Sequence, residues 1–173
     1  MSLRTIMIFP EFENMDIIDR IRDRYDPLAR LVRPHITLVF PFEDDMSNDA
    51  IEDILIRRLQ DVHPFEIVLN GISMQKDKYG NSLLLDVQKG ADEICRIHDI
   101  FYNNEFRRYD TGSLYKPHIT VGKFHTGQEL YDAYNDLKDM DESFTGTVDK
   151  ISAEMIGKNE ESVIIAEKIL QIQ

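Results

Sequence analysis

The sequence predicts an α+β fold built by internal duplication, and three observations predict it. First, the stretch RPHIT beginning at Arg33 returns as KPHIT beginning at Lys116. Second, one order of elements (helix, His-bearing strand, helix, strand, strand) runs twice after an opening strand. Third, Phe65 stands ahead of Ile72-Ser73 at the same spacing by which Phe144 stands ahead of Ile151-Ser152. No linker rich in Gly, Ser or Pro separates the halves. The expectation is one bilobal domain over 1–173, with pseudo-repeats at about 11–89 and 90–173.

Met1 to Pro10 reads as the opening strand through TIMIF. From Glu11 to Leu28, the apolar positions Phe12, Met15, Ile18, Ile21, Tyr25 and Leu28 recur near helical spacing. The first His segment alternates as a strand and ends at Pro41. Asp49 to Val62 is an amphipathic helix with Ile51, Ile54, Leu55, Leu59 and Val62 on one face. Phe65 to Met74 and Ser82 to Gln88 are strands joined through a turn at Gly80-Asn81. In the second half, Ala91, Ile94, Ile97 and Phe101 mark a helix, and a loop then leads to the second His strand. Thr126 and Glu129 form a capping box for a helix with the apolar face Leu130, Ala133, Tyr134 and Leu137. Phe144 to Met155 and Ser162 to Leu170 close the chain as a further strand pair.

Charge narrows the function. Twenty Lys+Arg against 32 Asp+Glu give a net charge of −12. Binding long RNA or DNA depends on releasing counterions from many phosphates, and no basic stripe is present to do so. A phosphate-bearing substrate is expected to be a small molecule or an RNA end. No apolar run approaches the roughly 20 residues of a membrane helix, and the first residues lack the pattern of a secretory leader. The single cysteine, Cys95, fits a reducing cytoplasm. The sequence sets no oligomeric state.

In a strand, residues two apart share a face. Arg33, His35 and Thr37 therefore project together, with Ile36, Leu38 and Phe40 behind them. Lys116, His118 and Thr120 do the same in the second copy, backed by Ile119 and Val121. Pro34 and Pro117 push their preceding residues into extended geometry. Two such faces meeting between lobes would form a cleft suited to displacement at a phosphodiester. One neutral imidazole accepts a proton while one imidazolium donates, and an unperturbed pKa of about 6.5 allows both forms near neutrality. The Thr37 and Thr120 hydroxyls are placed to bind phosphoryl oxygens, and Arg33 and Lys116 to balance substrate charge. No metal or cofactor is required. Nothing in the sequence decides which histidine is acid and which is base. His63, His98, His125 and Cys95 have structural explanations.

The two motifs, His35-Ile36-Thr37-Leu38-Val39 and His118-Ile119-Thr120-Val121-Gly122, resemble those of the two-histidine (2H) phosphoesterase superfamily, whose members include RNA 2′,5′ ligases and cyclic phosphodiesterases. The resemblance implies antiparallel sheets facing across a central cleft with helices outside. It also implies metal-free opening of a cyclic phosphate. Together with position, it suggests that the loop from Arg107 to Ser113, followed by Tyr115, reaches over the cleft, with Arg107 or Arg108 gripping phosphate. Lys123, standing where the first copy has Phe40, is a departure from symmetry. RNA 2′,5′ ligation and a non-catalytic nucleotide-binding module are the alternatives.

Overall fold

A computed structural model describes residues 2–172. Met1, assigned above to the opening strand, and Gln173, the last residue of the expected domain, lie outside them. The chain runs β1 (Ser2–Ile8), α1 (Met15–Tyr25), β2 (Ile36–Asp44), α2 (Asn48–Arg58), β3 (Phe65–Asp77), β4 (Gly80–Lys89), α3 (Ala91–Tyr102), β5 (His118–Phe124), α4 (Gly127–Leu137), β6 (Phe144–Val148), β7 (Lys150–Ile156) and β8 (Ser162–Ile169). A 3₁₀ turn, Arg107–Tyr109, lies between α3 and β5. The strands form two four-stranded antiparallel sheets, β2-β1-β7-β8 and β5-β4-β3-β6. Each strand carrying a His-x-Thr motif is thus an edge strand of its own sheet.

Register shows the duplication residue by residue. Ile6, Met7 and Ile8 of β1 pair with Val39, Thr37 and Ile36 of β2. Leu83, Leu84 and Leu85 of β4 pair with Gly122, Thr120 and Ile119 of β5. Both ladders skip one residue at the same place, Leu38 in the first and Val121 in the second. An extra residue of this kind is a β-bulge, which reverses the alternation of faces beyond it.

One strand assignment needs correction. Phe144 to Met155 is not a single strand: β6 pairs with β3 in the second sheet, whereas β7 pairs with β1 and β8 in the first. Apolar residues stand at Phe144 and Val148 and then at Ile151, Ala153 and Met155, so the alternation slips by one residue across Asp149-Lys150, a break that a single regular strand does not accommodate. The Leu170 N–H bonds the Asp149 carbonyl at 2.8 Å and ties the crossover to the end of the chain. Ile72-Ser73 and Ile151-Ser152 still occupy matching places, on the third strand of each sheet.

The helices link the halves. α1 packs against β5 and α3 against β2, so the first helix of each half supports the other half's His strand. Ile18 and Ile21 on α1, and Ile94, Ile97 and Phe101 on α3, are buried in this contact layer. Each such side chain contributes about 1.5–3 kcal/mol when fully removed from water. Gly122 allows the close approach of α1, since a Cβ there would meet the Tyr25 Cβ at 3.0 Å. α1 stops at Tyr25, short of the predicted Leu28. Asp26 precedes a proline and is extended (φ −114°, ψ 113°), a geometry that pre-proline residues favour. The predicted Thr126–Glu129 capping box is present on α4, and Ser47 caps α2. Caps of this kind are worth about 0.5–2 kcal/mol.

Candidate active site

His35 immediately precedes β2, and His118 opens β5. Both are half-buried, whereas Pro34, Ile36, Pro117 and Ile119 on either side are buried. The apolar neighbours fix the strands in the core and leave the imidazoles on the opposite face. His35 Nδ1 lies 2.7 Å from the carbonyl oxygen of Arg33, and His118 Nδ1 lies 2.6 Å from that of Lys116. A carbonyl only accepts, so each Nδ1 carries the hydrogen and each neutral ring presents Nε2 as a free lone pair. Thr37 and Thr120, two residues on, are also half-buried. Among the described residues, neither hydroxyl has a hydrogen-bond partner. β2 and β5 are in contact, and Tyr115 OH crosses between them to donate to the Thr37 carbonyl at 2.7 Å.

The electrostatics favour neutral rings. Burial pushes the His35 pKa down to about 4, with the Arg33 carbonyl opposing and the charges of Arg22 and His118 adding to the effect. Arg22 belongs to a buried ion pair with Asp26 at 2.9 Å, and Asp26 offsets it in part. His118 is lowered as well, first by burial and then by the Lys116 ammonium, while the Lys116 carbonyl and Asp86 raise it.

The remaining predicted residues are placed unequally. Lys116 forms an ion pair with Asp86 at 2.8 Å and donates to Ser73 Oγ at 3.0 Å; Ser73 Oγ in turn donates to Asp86 at 2.8 Å. Asp86 is the register partner of His118. Arg33 instead lies over the ring of Phe9, 4.4 Å from its centroid, and that ring meets His35 edge-on at 6.1 Å. Tyr115 is stacked on His98 at 3.8 Å, with its hydroxyl taken by Thr37, so it offers the cleft a ring rather than a free O–H. Arg107 is not brought to the histidines. Its 3₁₀ turn is held at Phe42 by Phe106 and Tyr109, and Tyr109 donates to the Glu43 carbonyl. Phe42 lies roughly 20 Å along the strand from His35 at about 3.3 Å per residue.

Phe40 is a second correction. Expected behind the motif, it is 47 % exposed, because the bulge at Leu38 returns it to the side of His35 and Thr37. Lys123 occupies the equivalent exposed position beyond the bulge at Val121. Phe40 meets Tyr115 edge-on at 6.4 Å, and its N–H donates to Tyr102 OH at 3.1 Å. Phe9, Ser73 and Asp86 were not singled out by sequence reasoning, while His98, given a structural explanation there, is packed between Tyr102 and Tyr115. Their roles come from cross-strand and helix–strand contacts, and the sole signal for Asp86 would have been the β4–β5 register. His63 bonds the Gln171 carbonyl at 2.7 Å, away from the motifs. No group of three or more His, Cys, Asp or Glu among the described residues is placed to hold a metal ion. No helix among them is long and apolar enough to cross a membrane.

Comparison with known proteins gives the same family from sequence and the same fold from structure. Residues 9–154 match the model of the 2′-5′ RNA ligase superfamily. A Geobacillus kaustophilus protein named "Putative phosphoesterase" is 32% identical over 146 residues, covering 84% of this chain and 83% of that one. A Bacillus licheniformis protein with the same designation is 27% identical over 150 residues, covering 84% and 85%. Among solved structures, TT0787 of Thermus thermophilus superimposes with a TM-score of 0.66 at 12% identity, covering 97% of each chain. E. coli LigT complexed with 3′-AMP does so with a TM-score of 0.64 at 12% identity, covering 99% of each. With the paired motifs on facing edge strands, these matches place the chain in the 2′-5′ RNA ligase superfamily of two-histidine phosphoesterases.

Proposed function

We propose that the protein is a metal-independent phosphoesterase that opens a cyclic phosphodiester, with His35 and His118 as the proton-transfer pair. The observation that carries this reading is the matched geometry of the two rings. Each Nδ1 is tied to the carbonyl two residues back, each Nε2 is free, and each ring has an unengaged threonine hydroxyl beside it. In the reaction, Nε2 of one neutral histidine takes a proton from water as that water attacks phosphorus. The second histidine, protonated, gives its proton to the departing sugar oxygen, leaving a phosphomonoester. Thr37 and Thr120 donate to the non-bridging oxygens, where charge builds.

In this reading His35, held neutral by burial and Arg22, is the base, and His118 is the acid: burial lowers its pKa as well, but Asp86 opposite it opposes that lowering. Lys116 and Arg33 contribute positive charge at the two shoulders of the cleft, and Tyr115 forms part of its wall. Arg107 and Arg108 are left out of this reading, because the turn that carries them packs on Phe42.

The substrate in this reading is a 2′,3′-cyclic nucleotide, an RNA cyclic phosphate end or a related small molecule. The phosphoesterase designation of the relatives supports it. So do the E. coli LigT structures with 3′-AMP, ATP and NADP+, ligands of nucleotide size. The net charge of −12 argues against long polyanions and so against RNA ligation as the main activity. A non-catalytic module would bind nucleotides without turnover. The whole chain acts as one bilobal domain, and the single Cys95 supports a cytoplasmic setting.

The test is hydrolysis of 2′,3′-cyclic nucleotides in the presence of a chelator. Turnover is expected, and His35→Ala and His118→Ala should each lose about 10²–10⁴-fold in kcat while remaining folded. Either variant retaining wild-type kcat overturns the paired roles.

A further inference from the structure

Beside His35 the surface opens into a groove of about 370 Å³, lined by Phe9, Pro10, Glu11, Phe12, Met15, Asp19, Arg33 and Pro34. Its volume falls within the range of about 300–1,000 Å³ typical of small-ligand sites. Phe9 joins it directly to the catalytic face, since its ring touches both His35 and the Arg33 guanidinium. A molecule whose phosphate lies at the histidines therefore has a neighbouring compartment for its remaining part.

The lining is specific in chemistry. Phe9, Pro10, Phe12, Met15 and Pro34 give apolar and aromatic walls suited to a flat ring. Against them stand Arg33 and two exposed carboxylates, Glu11 and Asp19. Among the described residues, neither carboxylate makes an ion pair or hydrogen bond. The charge of Arg33 is felt at Glu167, but the guanidinium is in hydrogen-bonded contact with no carboxylate there. Two carboxylates without a partner among the described residues and one guanidinium therefore line the same apolar groove and form a recognition set.

We infer that this groove is the base subsite for the substrate proposed above and that it selects guanine. Guanine divides its edges as the groove divides its charges. N1–H and N2–H₂ are adjacent donors for a carboxylate, while O6 and N7 are adjacent acceptors for the arginine fork. Uracil offers one N–H. Cytosine and adenine each offer one exocyclic amine with a ring acceptor rather than an N–H beside it, so neither presents two adjacent donor groups to a carboxylate. Stacking alone is tolerant of sequence, so the discrimination lies with Glu11, Asp19 and Arg33.

The groove is confined to the His35 side. On the His118 side, the cation equivalent to Arg33 is pinned by Asp86 and Ser73. The guanosine of a guanosine 2′,3′-cyclic phosphate is therefore held on the His35 side of the reacting phosphorus. This inference rests on the proposed cyclic phosphodiesterase reading and extends it to the base.

The experiment compares guanosine and uridine 2′,3′-cyclic phosphates with the wild type and with the Glu11→Gln, Asp19→Asn double variant. Both positions are exposed, and folding is checked by thermal melting. The wild type should favour guanosine by about tenfold or more in kcat/KM, mainly through KM, and the double variant should bring the ratio close to one. Equal kcat/KM for the two bases in the wild type, or an unchanged ratio in the variant, overturns the inference while leaving the hydrolase reading intact. If no cyclic phosphate is turned over, calorimetry with GMP and UMP decides separately. Preferential GMP binding lost in the double variant upholds the subsite, and no preference overturns it.

Discussion

The two sheets build the same scaffold around their histidines and finish it with different neighbours. β1–β2 and β4–β5 share their register down to the position of the bulge. One step beyond the last matched pair, however, the β1–β2 ladder is followed by Phe9 and the β4–β5 ladder by Asp86. Arg33 consequently lies on an aromatic ring beside an open groove, while Lys116 is bound to a carboxylate and a serine. The parts proposed to move protons and bind phosphoryl oxygens are common to both sheets; the neighbours proposed to bias charge and shape the entrance are not. A symmetric phosphate can use the shared parts, but a nucleotide has a base on one side and needs the difference.

The largest effect expected here tests the shared parts. Thr37→Val and Thr120→Val keep shape and burial while deleting a donor to the phosphoryl oxygens. Each should lower kcat by about 10–10³-fold with little change in thermal stability, since neither hydroxyl is engaged in the free protein. Steady-state kinetics on a 2′,3′-cyclic nucleotide measures this. A tenfold loss in one variant and none in the other would mean that the two threonines are not equivalent, despite their matched register.

A smaller effect sharpens the difference. Asp86→Asn removes the carboxylate that raises the His118 pKa while keeping a partner for Ser73 and Lys116. Acting through His118, Asp86 is a positioning residue, and its signature is the pH profile. The limb of kcat/KM that falls with rising pH reports the acid and should move to lower pH, whereas the limb reporting His35 should stay in place. If both limbs move together, the histidines titrate as one coupled pair and the division of roles fails.

What the sequence made legible follows strand parity and helical periodicity. The repeated motif pointed to His35, Thr37, His118 and Thr120, and apolar residues at Ile36 and Ile119 correctly identified the core side. Parity misplaced Phe40, because a one-residue bulge at Leu38 leaves no trace in composition yet turns every later side chain over. The crossover at Asp149 left a trace, because the apolar parity shifts between Val148 and Ile151, but only the pairing partners show that this slip is a passage between sheets rather than a bulge. Phe9, Asp86 and His98 matter through what they face, and facing residues are set by register and helix packing. Arg107 was expected at the cleft because its loop precedes β5. The burial of Phe106 against Phe42 carries that turn to the far end of β2 instead.

The smallest expected effect concerns stability and comes from the His35 environment. Its pKa in the folded protein is about 4, below the roughly 6.5 of an unfolded chain. Between these values the unfolded state binds more protons than the folded state, so stability rises with pH in this window. The contribution is fully present above about pH 6.5 and drains away as pH falls toward 4. The shift corresponds to at most roughly 3 kcal/mol, and less is expected because the ring is half-buried and its rim is screened by solvent. Carboxylates held below their usual range, such as Glu105 and Glu167, also lose stabilisation in acid, so the wild-type curve alone does not isolate the imidazole. Urea denaturation of the wild type and His35→Gln at pH 7.5 and 4.5 does, because those carboxylates are common to both. The wild type should lose more stability than the variant on acidification. A gap between the two proteins that stays constant with pH would show that His35 titrates alike in both states, and the buried, neutral base would have to be abandoned.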